Sequence, residues 1–312
     1  MNAPSTERTA IVTGGNAGLG LETVRALARS DSWTHLVVAA RDLARAAVAI
    51  EGMEAANARI VAAPLDLSSL DSVRAFPAAL AALDVPPVHA LVCNAGVQIV
   101  DDTRLTADGY EETFAVNVLG HYLLTRLLVP SMGKGARVVF VSSGTHDPAL
   151  RTGMPYPQYI SAAELAVGGG LEGSGGGLGR RRYTTSKLCD VYLAYEFAKR
   201  YPLDAAPGPG LVAMAMDPGL MAGSGLGRNY GLIGRFAWNH ILPIASRFLK
   251  DAMTTASSGA NLAQLVTDPA YATTTGAYFI GTTPSPSSEL SYNQFNAVDL
   301  WTTCAQLCGV DP

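Results

Sequence analysis

Short apolar runs alternate with longer amphipathic stretches along most of the chain. Apolar runs that end at glycine or small polar residues are typical of strands buried on both faces of a parallel sheet. Stretches with apolar residues three and four apart are typical of helices that cover such a sheet. The alternation predicts one α/β domain over residues 1–312, a doubly wound parallel sheet with helices on both faces. The predicted strands are residues 9–13, 35–40, 59–64, 88–93, 137–141, 211–216 and 276–280, and the longer predicted helices are 21–28, 70–83, 110–129, 183–200 and 254–266.

Three segments depart from this alternation. Residues 144–182 carry three prolines between 145 and 159 and eight glycines between 168 and 179, which predicts a long loop insertion that could close over a site as a lid. Residues 220–250 mix glycine with bulky apolar side chains and predict one or two amphipathic helices. They would either cover an apolar substrate or pack as ordinary core. Residues 1–8 predict a flexible N-terminus.

Composition and charge exclude several classes of protein. Apolar residues make up 48% of the chain and charged residues 15%, so a sizeable core can form. A net charge of −4 argues against a surface that binds nucleic acid. No apolar run reaches the ~18 residues of a membrane span. The N-terminus lacks the order of a signal peptide, and the cysteines are few and scattered, which together predict a cytoplasmic protein. Cys304 and Cys308 are expected to pack in a terminal helix rather than bind metal, and we predict no metal site.

A glycine-rich segment follows the first predicted strand and opens the first predicted helix. Strand, glycine-rich turn and helix form the context in which such a segment binds a dinucleotide. Gly14 would permit the tight turn, Gly18 would let backbone approach a pyrophosphate, and Gly20 would let the helix pack on the sheet. The helix N-terminus would face the phosphates. An ordinary glycine-rich turn is the alternative; the predicted cofactor-binding residues of this loop are Gly14, Asn16, Gly18, Leu19 and Gly20.

The residues after the second strand distinguish the two nicotinamide cofactors. An acid near this place holds the adenosine ribose of NAD, whereas an arginine takes the 2′-phosphate of NADP. Here Arg41 and Asp42 are adjacent. Because Arg41 comes first and Asp42 could instead cap the following helix, we predict NADP(H).

The residues that directly follow two further predicted strands are candidate cofactor contacts. Asp66 and Leu67 follow the third strand, where Asp66 could meet the adenine edge or act as a local helix cap. Asn94, Ala95 and Gly96 follow the fourth strand, where small residues let a ribose lie close to backbone.

The candidate chemistry centres on Tyr183 and Lys187, which are four residues apart at the head of a predicted helix. Residues at this spacing share a helix face, so the phenol and the ammonium can enter one cleft. A nearby cation lowers the pKa of a tyrosine, which suits Tyr183 to proton transfer with a carbonyl or an alcohol.

Two polar residues at other places could complete that site. Asn117 lies in the middle of a predicted helix, and its side chain or carbonyl could hold a water near Lys187; a satisfied core amide is the alternative. Ser142 and Ser143 end the fifth strand, where a ligand of a doubly wound sheet binds. A hydroxyl there can hydrogen-bond a substrate oxygen; position alone does not choose between the two, and only resemblance to a known family favours Ser143 for the substrate and leaves Ser142 to bond backbone.

These segments together resemble the short-chain dehydrogenase/reductase family over essentially the whole chain. The resemblance implies a Rossmann-type fold in which Ser143 orients a carbonyl and Tyr183 transfers the proton. It also implies that Lys187 lowers the tyrosine pKa and binds the nicotinamide ribose, while Asn117 maintains a water in the proton relay. The matching positions are Thr13-Gly14-x-x-x-Gly18-x-Gly20, Asn94-Ala95-Gly96, Asn117, Ser143, Tyr183-x-x-x-Lys187 and Pro218-Gly219, of which Pro218 and Gly219 are also predicted cofactor contacts.

Within that family the chain resembles the branch of protochlorophyllide reductases and retinol-dehydrogenase-like enzymes. Ala39-Ala40-Arg41-Asp42 and the stretch from Asn117 to Leu124 suggest this branch. Protochlorophyllide reductases carry a cysteine directly after the Pro-Gly pair, whereas this chain has Leu220. We therefore expect NADP(H)-dependent interconversion of a carbonyl and an alcohol on a bulky hydrophobic substrate, such as a polycyclic ketone, a steroid-like or an isoprenoid compound. Light-dependent C=C reduction of a tetrapyrrole and a non-catalytic nucleotide sensor are the alternatives, and the sequence leaves monomer and homo-oligomer open.

Overall fold

The chain builds one eight-stranded sheet in the order β10-β9-β6-β5-β4-β1-β2-β3. The computed structural model describes residues 7–100, 103–204, 210–221 and 252–312. Neighbouring strands of the sheet are parallel except for β9 and β10, which form an antiparallel hairpin. The strands are β1 Thr9–Thr13, β2 His35–Ala40, β3 Arg59–Pro64, β4 Val88–Cys93, β5 Met132–Val141, β6 Leu211–Asp217, β9 Ala277–Ile280 and β10 Thr283–Ser285, while β7 Leu220–Met221 and β8 Ala252–Met253 form a separate parallel pair.

Helices cover both faces of this sheet, which confirms the predicted doubly wound fold. Alternate residues of β5 face opposite layers, with Val138 and Phe140 in one core and Val139 and Val141 in the other. No helix in the described parts of the chain combines the length and the apolarity needed to span a membrane. The helices are α1 Gly18–Ala28, α2 Leu43–Ile50, α3 Leu70–Ala81, α4 Glu112–Phe114, a π-helical turn Ala115–Leu119, α5 Gly120–Leu128, α6 Ala162–Ala166, α7 Gly175–Arg200, α8 Thr255–Thr267 and α9 Gln294–Cys308.

The helix α7 begins at Gly175, eight residues before the predicted start, so the glycine tract is only partly loop. A Cβ atom on Gly179 would lie 2.7 Å from the Cα of Val100 and closer still to the carbonyl oxygen of Ile99. The first turns of α7 therefore pass directly against the backbone that follows β4, an approach that only glycine allows. The glycine-rich composition of this tract predicted a flexible loop. The glycines instead form part of a helix, because its contact with the backbone after β4 requires small residues.

The insertion 144–182 is attached to two helices through specific hydrogen bonds. The amide of Gln158 donates to the hydroxyl of Thr185 on α7 at 3.0 Å. The hydroxyl of Tyr159 and the amide of Ala162 both donate to the carboxylate of Asp299 on α9, at 2.7 and 2.8 Å. The expected lid role of the insertion stays a prediction, and the predicted substrate cover over residues 222–250 lies outside the described residues.

The predicted helix 110–129 is interrupted by the π-helical turn Ala115–Leu119, which contains Asn117. Single π turns inside helices are frequent at functional sites. Pro77 lies inside α3, which continues through it and ends at Ala81, two residues before the predicted end. The terminal helix α9 buries both Cys304 and Cys308, the packing role expected for them.

An aromatic cluster packs the C-terminal half of α7 against α9. The ring of Trp301 lies 5.0 Å from that of Tyr122 and 4.9 Å from that of Phe197, both edge to face. Phe140 on β5 stacks on Phe197 at 5.6 Å. Such pairs stabilise beyond the area that they bury, so this cluster holds α7 on the sheet.

We predict that Trp301→Ala lowers the free energy of unfolding by about 3–5 kcal/mol, the usual cost of truncating a buried large aromatic side chain. Trp301 is 1% exposed, whereas Phe295 on the same helix is 89% exposed. Phe295→Ala is therefore the matched control and should change the stability by less than about 0.5 kcal/mol. Urea unfolding followed by circular dichroism measures both; equal effects of the two substitutions would contradict the role of the cluster.

Candidate functional site

The glycine-rich loop between β1 and α1 forms a cradle at the carboxyl edge of the sheet. Gly14 and Gly18 have φ angles of +64° and +53°. A Cβ on Gly18 would meet no atom within 4 Å, whereas a Cβ on Gly20 would lie 2.5 Å from the carbonyl oxygen of Gly14. Gly18 therefore faces open space, and Gly20 allows the close packing that was predicted for it. Leu19 is buried beside them and Asn16 is half-buried.

The N-terminus of α1 is suited to an anion. Ala17, the residue before the helix, provides no side-chain cap. The first turn of the helix contains no acidic residue. Unpaired amides and the positive end of the helix dipole therefore point toward the open space beside Gly18. These features fit the pyrophosphate of a dinucleotide.

Hydrogen bonds join the glycine loop to the end of β4. The Thr13 hydroxyl accepts from the amides of Asn94 and Ala95 at 2.9 and 3.0 Å. The side-chain amide of Asn94 donates to the Thr13 carbonyl at 2.8 Å. This junction of β1 and β4 is the point where the strand order reverses, which is where open α/β sheets bind ligands.

The two residues that were weighed for cofactor choice have different environments. Asp42 caps α2, because its carboxylate accepts from the amide of Arg45 at 2.9 Å. Arg41 is exposed directly after β2. The amide of Gly14 donates to the carbonyl of Ala39 at 2.8 Å, so the loop and the end of β2 are adjacent. The capping alternative for Asp42 is confirmed, which leaves Arg41 as the residue oriented for solvent or ligand.

The remaining predicted cofactor contacts lie around the same edge. The Asp66 carboxylate accepts from the hydroxyl of Ser68 at 2.6 Å in a local turn. Ser69, not Asp66, caps α3, so the alternative of Asp66 as a helix cap is wrong. Pro218 and Gly219 follow β6, where Gly219 has a φ angle of +79° and Pro218 accepts from Ser258 on α8 at 2.6 Å. Their contact with a cofactor stays a prediction, as does that of Leu67, which is buried against the start of α5.

Tyr183 and Lys187 share one face of α7, as their spacing predicts. The ammonium nitrogen of Lys187 lies 5.6 Å from the centroid of the Tyr183 ring. Both side chains are nearly buried. A Cβ on Gly96 would lie 3.8 Å from the Lys187 nitrogen and 3.4 Å from Oδ1 of Asn117. The end of β4, the lysine and the asparagine therefore converge on one place.

The side-chain amide of Asn117 is buried, and both its oxygen and its nitrogen have hydrogen-bond partners. Its Oδ1 accepts from the amide of Val97 at 2.8 Å, and its Nδ2 donates to the Val97 carbonyl at 3.0 Å and to the Ser186 hydroxyl at 2.9 Å. That hydroxyl donates in turn to the carbonyl of Tyr183 at 2.7 Å. Asn117 is thus connected to the tyrosine through Ser186, a link that the sequence analysis missed.

The two serines at the end of β5 differ in burial and in hydrogen bonding, and Ser142 bonds backbone as expected. The buried Ser142 hydroxyl donates to the carbonyl of Lys187 at 2.7 Å. Ser143 is half-buried, and its hydroxyl accepts only a long bond from the amide of Thr145 at 3.3 Å. The contact of Ser143 with a substrate stays a prediction.

Lys187 forms a buried ion pair that the sequence analysis missed. Its ammonium donates to the carbonyl of Val141 and to the carboxylate of Asp190, both at 2.8 Å. Burial opposes the lysine charge, but Asp190 and the Tyr183 hydroxyl together hold the pKa of Lys187 above its usual value. Burial raises the pKa of Asp190 to about 6 against the opposing effect of Lys187. The three-residue spacing from Lys187 was the available signal.

His121 connects the asparagine to the glycine loop. Its Nδ1 lies 3.1 Å from the Asn117 carbonyl, and its Nε2 lies 2.9 Å from the Thr13 hydroxyl. Since a carbonyl only accepts, the proton is assigned to Nδ1, and Nε2 accepts from Thr13. Burial lowers the pKa of His121 to about 4, helped by the charge of Lys187, so the ring is neutral near pH 7.

Comparison with known proteins agrees with this geometry. A family model described as short chain dehydrogenase matches residues 8–162. The chain is 32% identical over 314 residues to protochlorophyllide reductase A, chloroplastic, from Hordeum vulgare, which covers 94% of this chain and 78% of that protein. The fold is similar to that of an uncharacterized protein from Mycobacterium paratuberculosis, with a TM-score of 0.68, 26% identity and coverage of 99% and 97%. A short chain dehydrogenase from Burkholderia cenocepacia, solved in complex with NADP, has a TM-score of 0.62, 21% identity and coverage of 88% and 96%.

The fold and the site define an α/β oxidoreductase with a dinucleotide cradle. The chain belongs to the short-chain dehydrogenase/reductase family, close to its protochlorophyllide reductase branch.

We predict that His121 makes the protein less stable as the pH falls from 6.5 toward 4. The folded-state pKa of His121 lies below its unfolded value, so in this window the unfolded chain binds a proton that the folded chain does not. The contribution of neutral His121 is complete above pH 6.5 and is lost toward pH 4, on the order of 3 kcal/mol.

His121→Gln removes this group, so the difference in unfolding free energy between the wild type and the variant should shrink across the same window. Other titrating groups are common to both proteins and cancel in the difference. Urea unfolding at several pH values measures it, and a difference that stays constant would show that His121 does not titrate in this way.

Proposed function

We propose that this protein is an NADP(H)-dependent oxidoreductase that interconverts a carbonyl and an alcohol on a bulky hydrophobic substrate. The observation that carries the proposal is the shared face of α7, where the Lys187 ammonium lies 5.6 Å from the Tyr183 ring. A proton donor with an adjacent cation suits a reaction in which charge develops on a carbonyl oxygen.

The chain's own residues would divide the work as follows. Bound NADP(H) would supply or accept the hydride. Tyr183 would give its phenolic proton to the carbonyl oxygen, or take one from an alcohol. Ser143 would donate a hydrogen bond to the same oxygen and orient it, while Lys187 would stabilise the phenolate electrostatically and bind the nicotinamide ribose.

Asn117 and Ser186 would hold the tyrosine end of α7 in place during this transfer. The carbonyl of Asn117 lies within reach of His121 Nδ1, and carbonyl oxygens can accept a second hydrogen bond. A water bound at that carbonyl would extend a proton relay from Lys187, which is the role that we propose for Asn117.

The proposed cofactor is NADP(H), with Arg41 binding the 2′-phosphate. Arg41 is exposed beside the glycine loop, whereas Asp42 is engaged as a helix cap. Guanidinium groups bind phosphate through paired charge-assisted hydrogen bonds. The similar fold from Burkholderia cenocepacia was solved with NADP, which agrees with this proposal. The remaining contacts would come from the loop and the strand ends described above.

Two described residues support an apolar substrate. Leu150 and Tyr156 lie in the insertion and are 50% and 56% exposed. A Cβ on Gly144, the residue after Ser143, would lie 3.1 Å from a methyl group of Leu150. Leu150 therefore borders the position proposed for the substrate carbonyl, together with a carboxylate oxygen of Asp217 that would lie 2.8 Å from the same Cβ. An exposed apolar side chain beside an acid favours a hydrophobic compound over an acidic one.

A second candidate is light-dependent reduction of a tetrapyrrole double bond. It is favoured by the name of the barley relative, whose substrate is protochlorophyllide. Leu220 counts against it, because the resemblance places a cysteine at this position in that branch. Illumination of the protein with NADPH and protochlorophyllide distinguishes the two: the carbonyl proposal expects no change in the pigment spectrum, and pigment conversion would favour the second candidate.

We predict that Tyr183→Phe lowers kcat with NADPH about 100-fold or more, since general acid–base groups contribute about 10²–10⁴-fold. The substrates would be a panel of bulky ketones, and cofactor binding would be followed by nicotinamide fluorescence. Tyr195→Phe is the control, because Tyr195 lies on the same helix and its hydroxyl bonds Ser287 at 2.6 Å. Unaltered turnover of Tyr183→Phe would refute the mechanism, and cofactor binding without any turnover would favour a nucleotide sensor.

We predict that Arg41→Ala raises the KM for NADPH about tenfold to a hundredfold and leaves the KM for NADH nearly unchanged. The expected rise in KM corresponds to the loss of the charge-assisted hydrogen bonds that Arg41 would make to one phosphate group. Arg45→Ala is the matched control, because Arg45 is an equally exposed arginine in the first turn of α2. Parallel initial-rate measurements with both cofactors test this, and equal effects on NADPH and NADH would reject the 2′-phosphate role.

A further inference from the structure

The carboxylate of Asp190 lies 2.8 Å from the Lys187 ammonium, one turn further along α7. The side chains of Lys187 and Asp190 are only 6% and 4% exposed. A buried ion pair is weakly screened, so each charge strongly influences its neighbours. The phenol whose proton transfer we propose above is such a neighbour, because its ring lies 5.6 Å from the same ammonium.

The charge of the cluster depends on whether Asp190 is ionised. With Lys187 alone, ionisation of Tyr183 would create a neutral pair of one cation and one anion. With Asp190 also ionised, the phenolate would be a second negative charge that shares a single ammonium in a buried place. Like charges at one site oppose each other's ionisation. Asp190 therefore counteracts the effect for which a lysine at this spacing is usually invoked.

The other titratable groups around the pair are neutral near pH 7. Burial, with a smaller contribution from the charge of Lys187, lowers the pKa of His121 on α5 to about 4. Burial raises the pKa of the thiol of Cys93 on β4 and that of Cys189 on α7, and the Asp190 charge acts in the same direction on both. Of these described groups, Lys187 and Asp190 are therefore the charged ones near pH 7.

We propose that Asp190 is a positioning residue that offsets the charge of Lys187 and so keeps the phenol of Tyr183 protonated at neutral pH. This inference rests on the proposed function, because it concerns the proton that Tyr183 transfers. A protonated phenol is ready to donate to a carbonyl, so the resting protein is prepared for reduction. Oxidation of an alcohol would require a higher pH, at which the phenol ionises despite Asp190.

The test is Asp190→Asn, which keeps the size and the hydrogen-bonding capacity of the side chain and removes its charge. We expect the ionisation of Tyr183 to move down by about one pH unit. Phenolate absorbance measures this directly, as the difference between each protein and the same protein carrying Tyr183→Phe. The rising limb of kcat/KM for alcohol oxidation against pH should move by the same amount.

Three further variants separate an electrostatic role from a structural one. Asp190→Glu keeps the charge and should retain the wild-type ionisation. Glu196→Gln removes another buried carboxylate of α7, which pairs with Arg200, and should shift nothing. In a Lys187→Met background the buried carboxyl of Asp190 has lost its counter-ion and stays protonated, so the additional Asp190→Asn change removes no charge and should have little effect. If Asp190→Asn does not fold by circular dichroism, Asp190→Ser is measured in its place.

The possible failures are distinguishable. If Tyr183→Phe does not alter turnover, the proposed function is wrong whatever Asp190 does. If Tyr183→Phe abolishes turnover but the phenol of Asp190→Asn titrates at the wild-type pH, the inference about Asp190 alone is overturned. An upward movement of the titration would also overturn it.

Discussion

Two reciprocal hydrogen bonds between α7 and the end of β5 determine the geometry of the whole site. The Lys187 ammonium donates to the carbonyl of Val141 at 2.8 Å, and the hydroxyl of Ser142 donates to the carbonyl of Lys187 at 2.7 Å. Both are buried, so their loss would leave polar groups unpaired in the core. Because they join helix to strand at this point, they hold the face of α7 that carries Lys187 and, one turn earlier, Tyr183 against the strand end that Ser142 and Ser143 follow.

The parts of the fold that depend on local chemistry could be predicted from the sequence. Strands β1 to β4 begin and end at the residues that the apolar runs indicated, since a residue that favours a turn or a cap follows each run within two positions. The glycine loop was predictable because a tight turn, an open approach and close helix packing each exclude a Cβ. Asp42 showed the limit of such local evidence, because both of its interpretations, ribose contact and cap, suit the same position.

What could not be predicted depends on partners that are distant in the sequence. The glycines before Tyr183 indicated a loop, but Gly179 lies against the backbone of residue 99, and that contact makes them part of α7. The hydrogen bond between Asn117 and Ser186 spans 69 positions, and that between His121 and Thr13 spans 108. No local pattern encodes such pairs, because each side chain alone is compatible with solvent, backbone or ligand.

The site also shows how one helix face can carry a reactive group together with the charges that control it. Tyr183, Lys187 and Asp190 are separated by four and three residues, so all three project from the same side of α7 into the core. Because this face is buried, each charge on it acts strongly on its neighbours. A tyrosine beside a lone lysine would therefore ionise at a different pH from a tyrosine beside a lysine that has a counter-ion. In the proposed function, the spacing of tyrosine and lysine therefore indicates where a proton would be transferred, and in the role proposed for Asp190 the residue one turn later sets the pH at which that proton is available.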